Sequence, residues 1–360
     1  MKVQIENELR KHIPGNITLP SEIIFSAPED RSVLTMTMSK AIHCGLAEKN
    51  PKTQKMDYGN MQVDGAAFEG WALALYTHWM GRKGTVVLDV DPSFTARLQD
   101  DNEIFHSNGH YGRFLYRALR FSSQYEWFKL SEPVSRAVER FLQRLMDGDF
   151  VNNIGNNLAG QKKKLESQME KALSEGDKAP FLRKQLDLNE TDPIYRQFPV
   201  GMMQLQRALN AKEMVCIGDE KLRTLGLNGG SANSRIFTGG SSAMDLWAIR
   251  GDTLCTIELK AKRQMMGALT EIFFYSNYMH DLYVDPIPSV QLLPPKKNRK
   301  NDRGYSVIRN LSQQGELKQI EGILLLDPKS LHPLMTSEVM ETMNQSTRKG
   351  IRYRIVSYEI

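Results

Sequence analysis

Apolar residues recur along this chain with two different periods. Phe68, Trp71, Ala72, Leu75 and Trp79 fall three and four apart, which predicts an amphipathic helix over 66–80 that stops near Gly81. The same spacing predicts helices over 110–121 (Phe114, Leu115, Ala118, Leu119 inward) and 132–146 (Val134, Val138, Phe141, Leu142, Leu145 inward). The second has Ser131 at its N-cap and Pro133 in its first turn. The C-terminal half alternates instead. Strand-like runs occur near 199–206, 213–218, 243–250, 254–261, 321–326 and 351–358, with helices fitting 265–283 and 335–346. Strands interleaved with helices predict a mixed α/β layer fold. The first ~60 residues are rich in Pro and Gly and read as short strands and loops.

Residues 158–188 differ again, opening on Gln161-Lys162-Lys163-Lys164 and carrying a thin apolar edge of Leu165, Met169 and Leu173. They read as a charged helical connector. The expected organisation is therefore an N-terminal α+β domain over 1–157, for recognition or regulation, the connector over 158–188, and a second domain over 189–360.

Composition narrows the class. Three cysteines, far apart, give no disulfide framework or zinc motif, and no apolar run approaches the ~18–20 residues that cross a bilayer. The N-terminal Met-Lys-Val-Gln-Ile-Glu lacks the apolar stretch of a secretory signal. A reduced, cytoplasmic protein is expected. The net charge of +5 is concentrated: between Val290 and Arg354 there are twelve Lys or Arg against six Asp or Glu. Such a local surplus attracts a polyanion or keeps a surface solvated. Arginine stripes on the helices over 110–121 (Arg113, Arg117, Arg120) and 132–146 (Arg136, Arg140, Arg144) are open to the same two readings, the solvated face being preferred.

The chemistry concentrates between Ala243 and Lys260. Two β-rich runs flank Gly251-Asp252, a two-residue hairpin turn. If Arg250 pairs with Thr253, Asp245 lies opposite Glu258, and Lys260 points to the same face. Met244, Leu246, Ala248, Cys255, Ile257 and Leu259 then form the other, apolar face. Two carboxylates opposed across strands repel. A divalent cation between them removes the conflict, and hard oxygen donors suit Mg²⁺ or Mn²⁺. Without a cation, the bland reading is a surface hairpin with a cross-strand Lys–Glu pair.

Asp245, then Glu258-Leu259-Lys260 across a hairpin, followed by a helix, resembles the PD-(D/E)XK nuclease superfamily over roughly 190–360. The resemblance implies a restriction-endonuclease-like sheet flanked by helices and a Mg²⁺-dependent (or Mn²⁺-dependent) endonuclease. It implies metal ligation by Asp245, Glu258 and the Leu259 backbone carbonyl, with Lys260 assisting the nucleophile. Met244 stands where the family often has proline. Glu271 and Tyr275, one turn apart, stand where some members carry Gln-xxx-Tyr, and become second-rank site residues. An upstream acid often completes the family's site; Glu190, Glu139 and Glu69 are the candidates. Lys262 and Arg263 follow the catalytic strand, and Lys296, Lys297, Arg299 and Lys300 lie in a basic loop. All six suit a nucleic acid backbone, and equally an ordinary solvated or disordered surface. The partner implied is nucleic acid, DNA rather than RNA, in restriction, repair or antiviral defence, with a second copy or a defence-complex partner also open. The alternative is a catalytically inactive nuclease fold serving as a nucleic-acid-binding or protein-interaction module.

Overall fold

A computed structural model describes residues 1–153, 165–205, 235–237, 243–261, 264–295 and 302–358. The class is mixed α/β, with several sheets flanked by helices. The chain forms two compact units, each gathered from separate stretches of sequence. The first holds Met1–Arg144, Lys262–Glu271 and Lys329–Lys349; the second holds Leu145–Ala261, Ile272–Pro328 and Gly350–Ile360.

The first unit opens on α1 (Lys2–Leu9), a helix in a region expected to be strand and loop. Ile5 and Leu9, four apart, are its buried apolar pair, too few to stand out among the prolines that follow. Its sheet has the order β1 (Ile23–Ser26), β2 (Val33–Met38), β3 (Thr85–Val90), β4 (Phe128–Leu130), with β1 antiparallel to β2 and the rest parallel. Helix α2 (Phe68–His78) was expected to be amphipathic; it is buried on nearly every side, Leu73 and Ala74 included. Helix α3 (His110–Gln124) presents Phe114, Leu115 and Ala118 to the core as expected, but Leu119 is only half-buried, and Leu142 on the helix over 132–147 is exposed rather than inward.

Its arginines are not a solvated face. Arg113 and Arg117 are buried, and Arg117 forms a two-armed pair with Glu69 of α2, Nε lying 2.6 Å from Oε1. Arg117 Nη2 also donates to the Ala66 carbonyl at 2.7 Å, and Thr270 Oγ1 donates to Glu69 Oε2 at 2.9 Å. A planar guanidinium matches a carboxylate in this way, and shared hydrogen bonds offset the cost of dehydrating both ions. The helix over 132–147 behaves as the solvated reading requires. Arg136 pairs with Glu132, and Arg140 and Arg144 with Asp101, all partly or fully exposed.

In the second unit, α4 (Leu165–Ser174) and α5 (Ala179–Leu186) occupy the stretch expected to be a connector. Met169, Leu173, Leu182 and Leu186 pack into one cluster with Leu246, Ala248, Cys255, Ile257 and Leu259. A thin apolar edge on a charged helix is enough to cover a sheet. That sheet runs β9 (Ile351–Ser357), β8 (Gln319–Leu326), β7 (Thr253–Lys260), β6 (Ala243–Arg250), β5 (Ile194–Pro199). Strands β7, β8 and β9 are mutually parallel; β6 and β5 are antiparallel to their neighbours. The apolar face of the hairpin is therefore core, as its alternation requires.

The other face is also covered. From Ile272 onward, helix α6 (Gly267–Met279) belongs to this unit, and Ser276 Oγ lies 3.0 Å from Thr256 Oγ1. Gly322 on β8 permits the approach: a Cβ there would stand 2.5 Å from Ser276 Oγ and 2.6 Å from the Tyr353 ring. Trp247 stacks on Tyr195 with centroids 4.4 Å apart. Met202–Gln204 forms the observed part of the 199–206 run, and the 213–218 run lies outside the described residues. No helix among the described residues is long and apolar enough to cross a membrane.

The Glu69–Arg117 pair yields a stability prediction. Glu69→Ala leaves a buried guanidinium without its counter-ion and should cost about 3–5 kcal/mol in urea unfolding. Glu139→Ala, on an exposed side chain, should stay within about 0.5 kcal/mol. Equal effects would remove the buried pair from the account of this core.

Candidate active site

The hairpin turn sets the register. Gly251, with φ 57°, takes the left-handed conformation the tight turn needs, and the ladder runs from Arg250↔Thr253 to Leu246↔Ile257. One step further the expected register would set Asp245 against Glu258. There the ladder ends and a side chain takes over: Asp245 Oδ2 accepts from the Leu259 backbone N–H at 3.0 Å. The carboxylate thus holds the peptide between Glu258 and Lys260.

On its other flank Asp245 also interrupts a ladder. Pairing of β6 with β5 runs Ala243↔Pro199 and Met244↔Phe198, then resumes at Leu246↔Arg196, passing over Asp245 and Gln197. Gln197 takes φ 56°, a left-handed conformation that residues with a Cβ seldom adopt. The local break re-aims its side chain, whose Nε2 donates to Glu170 Oε2 at 2.7 Å. Arg303 donates from Nη1 to the Gln197 carbonyl at 3.0 Å.

Glu170 lies on α4 and is buried. Burial pushes its pKa up to about 8, aided by the negative charge of Asp245; the Gln197 hydrogen bond and Arg196 act the other way. Glu170 therefore stands within electrostatic reach of Asp245. Lys260 Nζ lies 2.7 Å from Glu258 Oε1, with both side chains almost wholly enclosed.

Such a donor set fits a hard divalent cation. Among the described residues no three His, Cys, Asp or Glu side chains converge as metal ligands. Mg²⁺ commonly takes only one or two carboxylates and fills its shell with other oxygens. Asp245 and Glu258 could supply the two, and the Leu259 carbonyl turns to the same side as its N–H, toward Asp245.

The remaining candidates have other neighbours. Glu271 lies in the first unit and accepts from Gln62 Nε2. Tyr275 donates to the carbonyl of Ala243, two residues before Asp245, at 3.4 Å. Of the three upstream acids, Glu69 is committed to Arg117, Glu139 accepts from Ser135 at 3.0 Å on an exposed helix face, and Glu190 is exposed in a turn. The acid that accompanies Asp245 is Glu170, which sequence reasoning missed. Its signal was its place beside Met169 on the thin apolar edge. Lys262, Arg263, Lys296, Lys297, Arg299 and Lys300 lie outside the described residues.

The raised pKa of Glu170 has a sign that can be measured. Below its ordinary pKa both folded and unfolded chains hold the proton. Between there and about pH 8 the unfolded chain releases it while the folded chain keeps it, so stability falls as pH rises. Glu170→Gln, which cannot ionise, should be more stable than wild type at pH 8.5 in metal-free buffer and nearly equal at pH 5. Denaturant midpoints at the two pH values decide; an unchanged difference removes Glu170 from the charged cluster.

No family model matches the chain, no curated protein matches it, and no solved structure matches the fold.

Proposed function

We propose that the chain is a metal-dependent nuclease that hydrolyses phosphodiester bonds of nucleic acid, with DNA the expected polymer. One observation carries the reading: the Asp245 carboxylate grips the peptide between Glu258 and its ion-paired Lys260. Two acids and an ammonium are thereby gathered at the end of one rigid hairpin. The arrangement supports the resemblance to the PD-(D/E)XK nucleases, and with it a place in restriction, repair or antiviral defence.

Asp245, Glu258 and the Leu259 carbonyl would hold Mg²⁺ or Mn²⁺. The chemistry such an ion supplies is polarisation of the scissile phosphate and a lowered pKa for water. The chain's own groups do the rest. Lys260 is held beside Glu258, where its ammonium can stabilise charge building on the phosphoryl oxygens. Burial and the charge of Asp245 raise the pKa of Glu170, which favours its neutral form and limits the charge that faces an incoming phosphate. Core packing under the hairpin fixes the positions of both acids before substrate arrives.

The test is cleavage of plasmid, single-stranded DNA and RNA by purified protein in Mg²⁺, Mn²⁺ or EDTA. Cleavage should require the metal. Lys260→Ala should lower kcat by about 10²–10³, the usual loss on removing one transition-state donor. Asp245→Asn and Glu258→Gln should lose at least as much. Full activity of Lys260→Ala would show that the site is misassigned. Salt-sensitive binding that persists in EDTA, with no cleavage in any metal, would identify a non-catalytic binding protein instead.

A further inference from the structure

The second unit carries a cavity of about 550 Å³ between α4, α5 and the ends of β8 and β9. Its size lies within the range of small-molecule sites. Strand register fixes its distance from the acid centre. Lys260 pairs with Leu326, and Leu326 pairs with Ser357, which lines the cavity. Two strand spacings separate the backbone of Lys260 from that of Ser357, roughly 10 Å along one edge of the sheet. The Glu258 and Lys260 side chains leave the face opposite to that of Leu259, which α4 and α5 cover, so a nucleic acid strand reaches the cavity round the strand ends. Tyr358, in the cavity wall, feels the charge of Asp245: burial first, then Asp327, Glu166 and Asp245, raise its pKa. The Tyr358 hydroxyl is buried and has no hydrogen-bond partner among the described residues.

The lining says what would fit. Phe181 is 37% exposed, unusual for a large aromatic, and faces the same space as Leu173 and Pro328. These are surfaces for a flat apolar ring. Asp177 and Lys178 bring one charge of each sign, and Ser357 a hydroxyl that donates and accepts. A phosphate pocket would carry surplus cations. A flat, uncharged ring with donors and acceptors on its edge matches better, and that is the chemistry of a nucleobase.

We propose that the cavity takes one unstacked nucleobase of the substrate strand, beside the phosphate bound at Asp245 and Glu258. The preferred substrate is then single-stranded or locally opened nucleic acid, because a base inside an intact duplex cannot reach the cavity. The inference rests on the nuclease reading for its strand and its phosphate, but the cavity can be tested without cleavage.

Fluorescence anisotropy in Ca²⁺, an oxygen-preferring cation that lacks the strict Mg²⁺ geometry, supplies that test, with a labelled single strand, its duplex, and a nucleoside monophosphate as competitor. The single strand should bind at least about tenfold tighter than the duplex. Phe181→Ala should weaken single-strand binding about 5- to 150-fold, the range of one lost stacking contact, while leaving duplex binding as it was. Lys178→Ala, on the rim, should weaken it in the same direction, and matching thermal midpoints would exclude unfolding of either variant. Wild-type affinity in both variants, or equal affinity for single strand and duplex, overturns the proposal. So does competition by the free nucleotide that Phe181→Ala abolishes while strand preference is absent, which would assign the cavity to a small ligand. If single-strand binding depends on Phe181 yet no metal supports cleavage, the base site stands and the nuclease reading fails. If cleavage is found with no effect at Phe181, the reverse holds.

Discussion

The hydrogen bond from the Leu259 amide to the Asp245 carboxylate is the contact on which the candidate site depends. A β-ladder normally spends each backbone N–H on a partner carbonyl. Here the ladder stops one residue before it would oppose two acids, and a side-chain oxygen substitutes for the missing acceptor. That bond gives one of the two opposed acids a donor of its own. The same bond fixes Glu258 and Lys260 with respect to Asp245, because they are the immediate neighbours of the amide it holds.

That local solution needs support from both flanks of β6. On one side lies the Lys260–Glu258 pair, enclosed enough that losing the ammonium would leave a buried carboxylate without compensation. On the other side the β5 ladder is broken at Gln197, whose left-handed backbone is tolerated because its amide reaches Glu170 and its carbonyl reaches Arg303. Strain at Gln197, burial of Glu170 and exclusion of water around Lys260 are therefore parts of one arrangement. Each is unfavourable alone. Together they place several polar groups in a poorly solvated space, where each charge acts more strongly than it would in water.

The hairpin was legible in the sequence because its determinants are local. Gly251-Asp252 sets the turn, strict alternation sorts Leu246, Ala248, Cys255, Ile257 and Leu259 to one face, and register follows by counting. The long helices were legible for the same reason, since Phe114, Leu115 and Ala118 repeat at helical spacing. Glu170 was not legible. It reaches Asp245 only because α4 packs on the sheet, a contact spanning some seventy residues of chain and carried by three or four apolar side chains. The buried pair of Arg117 with Glu69 failed to show for a related reason. A charged residue on a helix reads as solvated until its partner on another helix is known, and nothing in the spacing of Arg113, Arg117 and Arg120 names that partner.

The direction of the strands explains why chemistry and cavity share an edge. Strands β7, β8 and β9 run parallel, and Lys260, Leu326 and Ser357 end them in register. At the carboxyl ends of parallel strands the chain must leave the sheet and cross back, so loops and helix ends diverge there and open space. The antiparallel β6 brings its amino-terminal end, with Asp245, to that same edge. A mixed sheet thus delivers an acid from an incoming strand beside an acid and a lysine from an outgoing one. A wholly parallel sheet could not join those two strands by a two-residue turn. The hairpin's antiparallel step is what sets two carboxylates and an ammonium beside the opening that the parallel strands create.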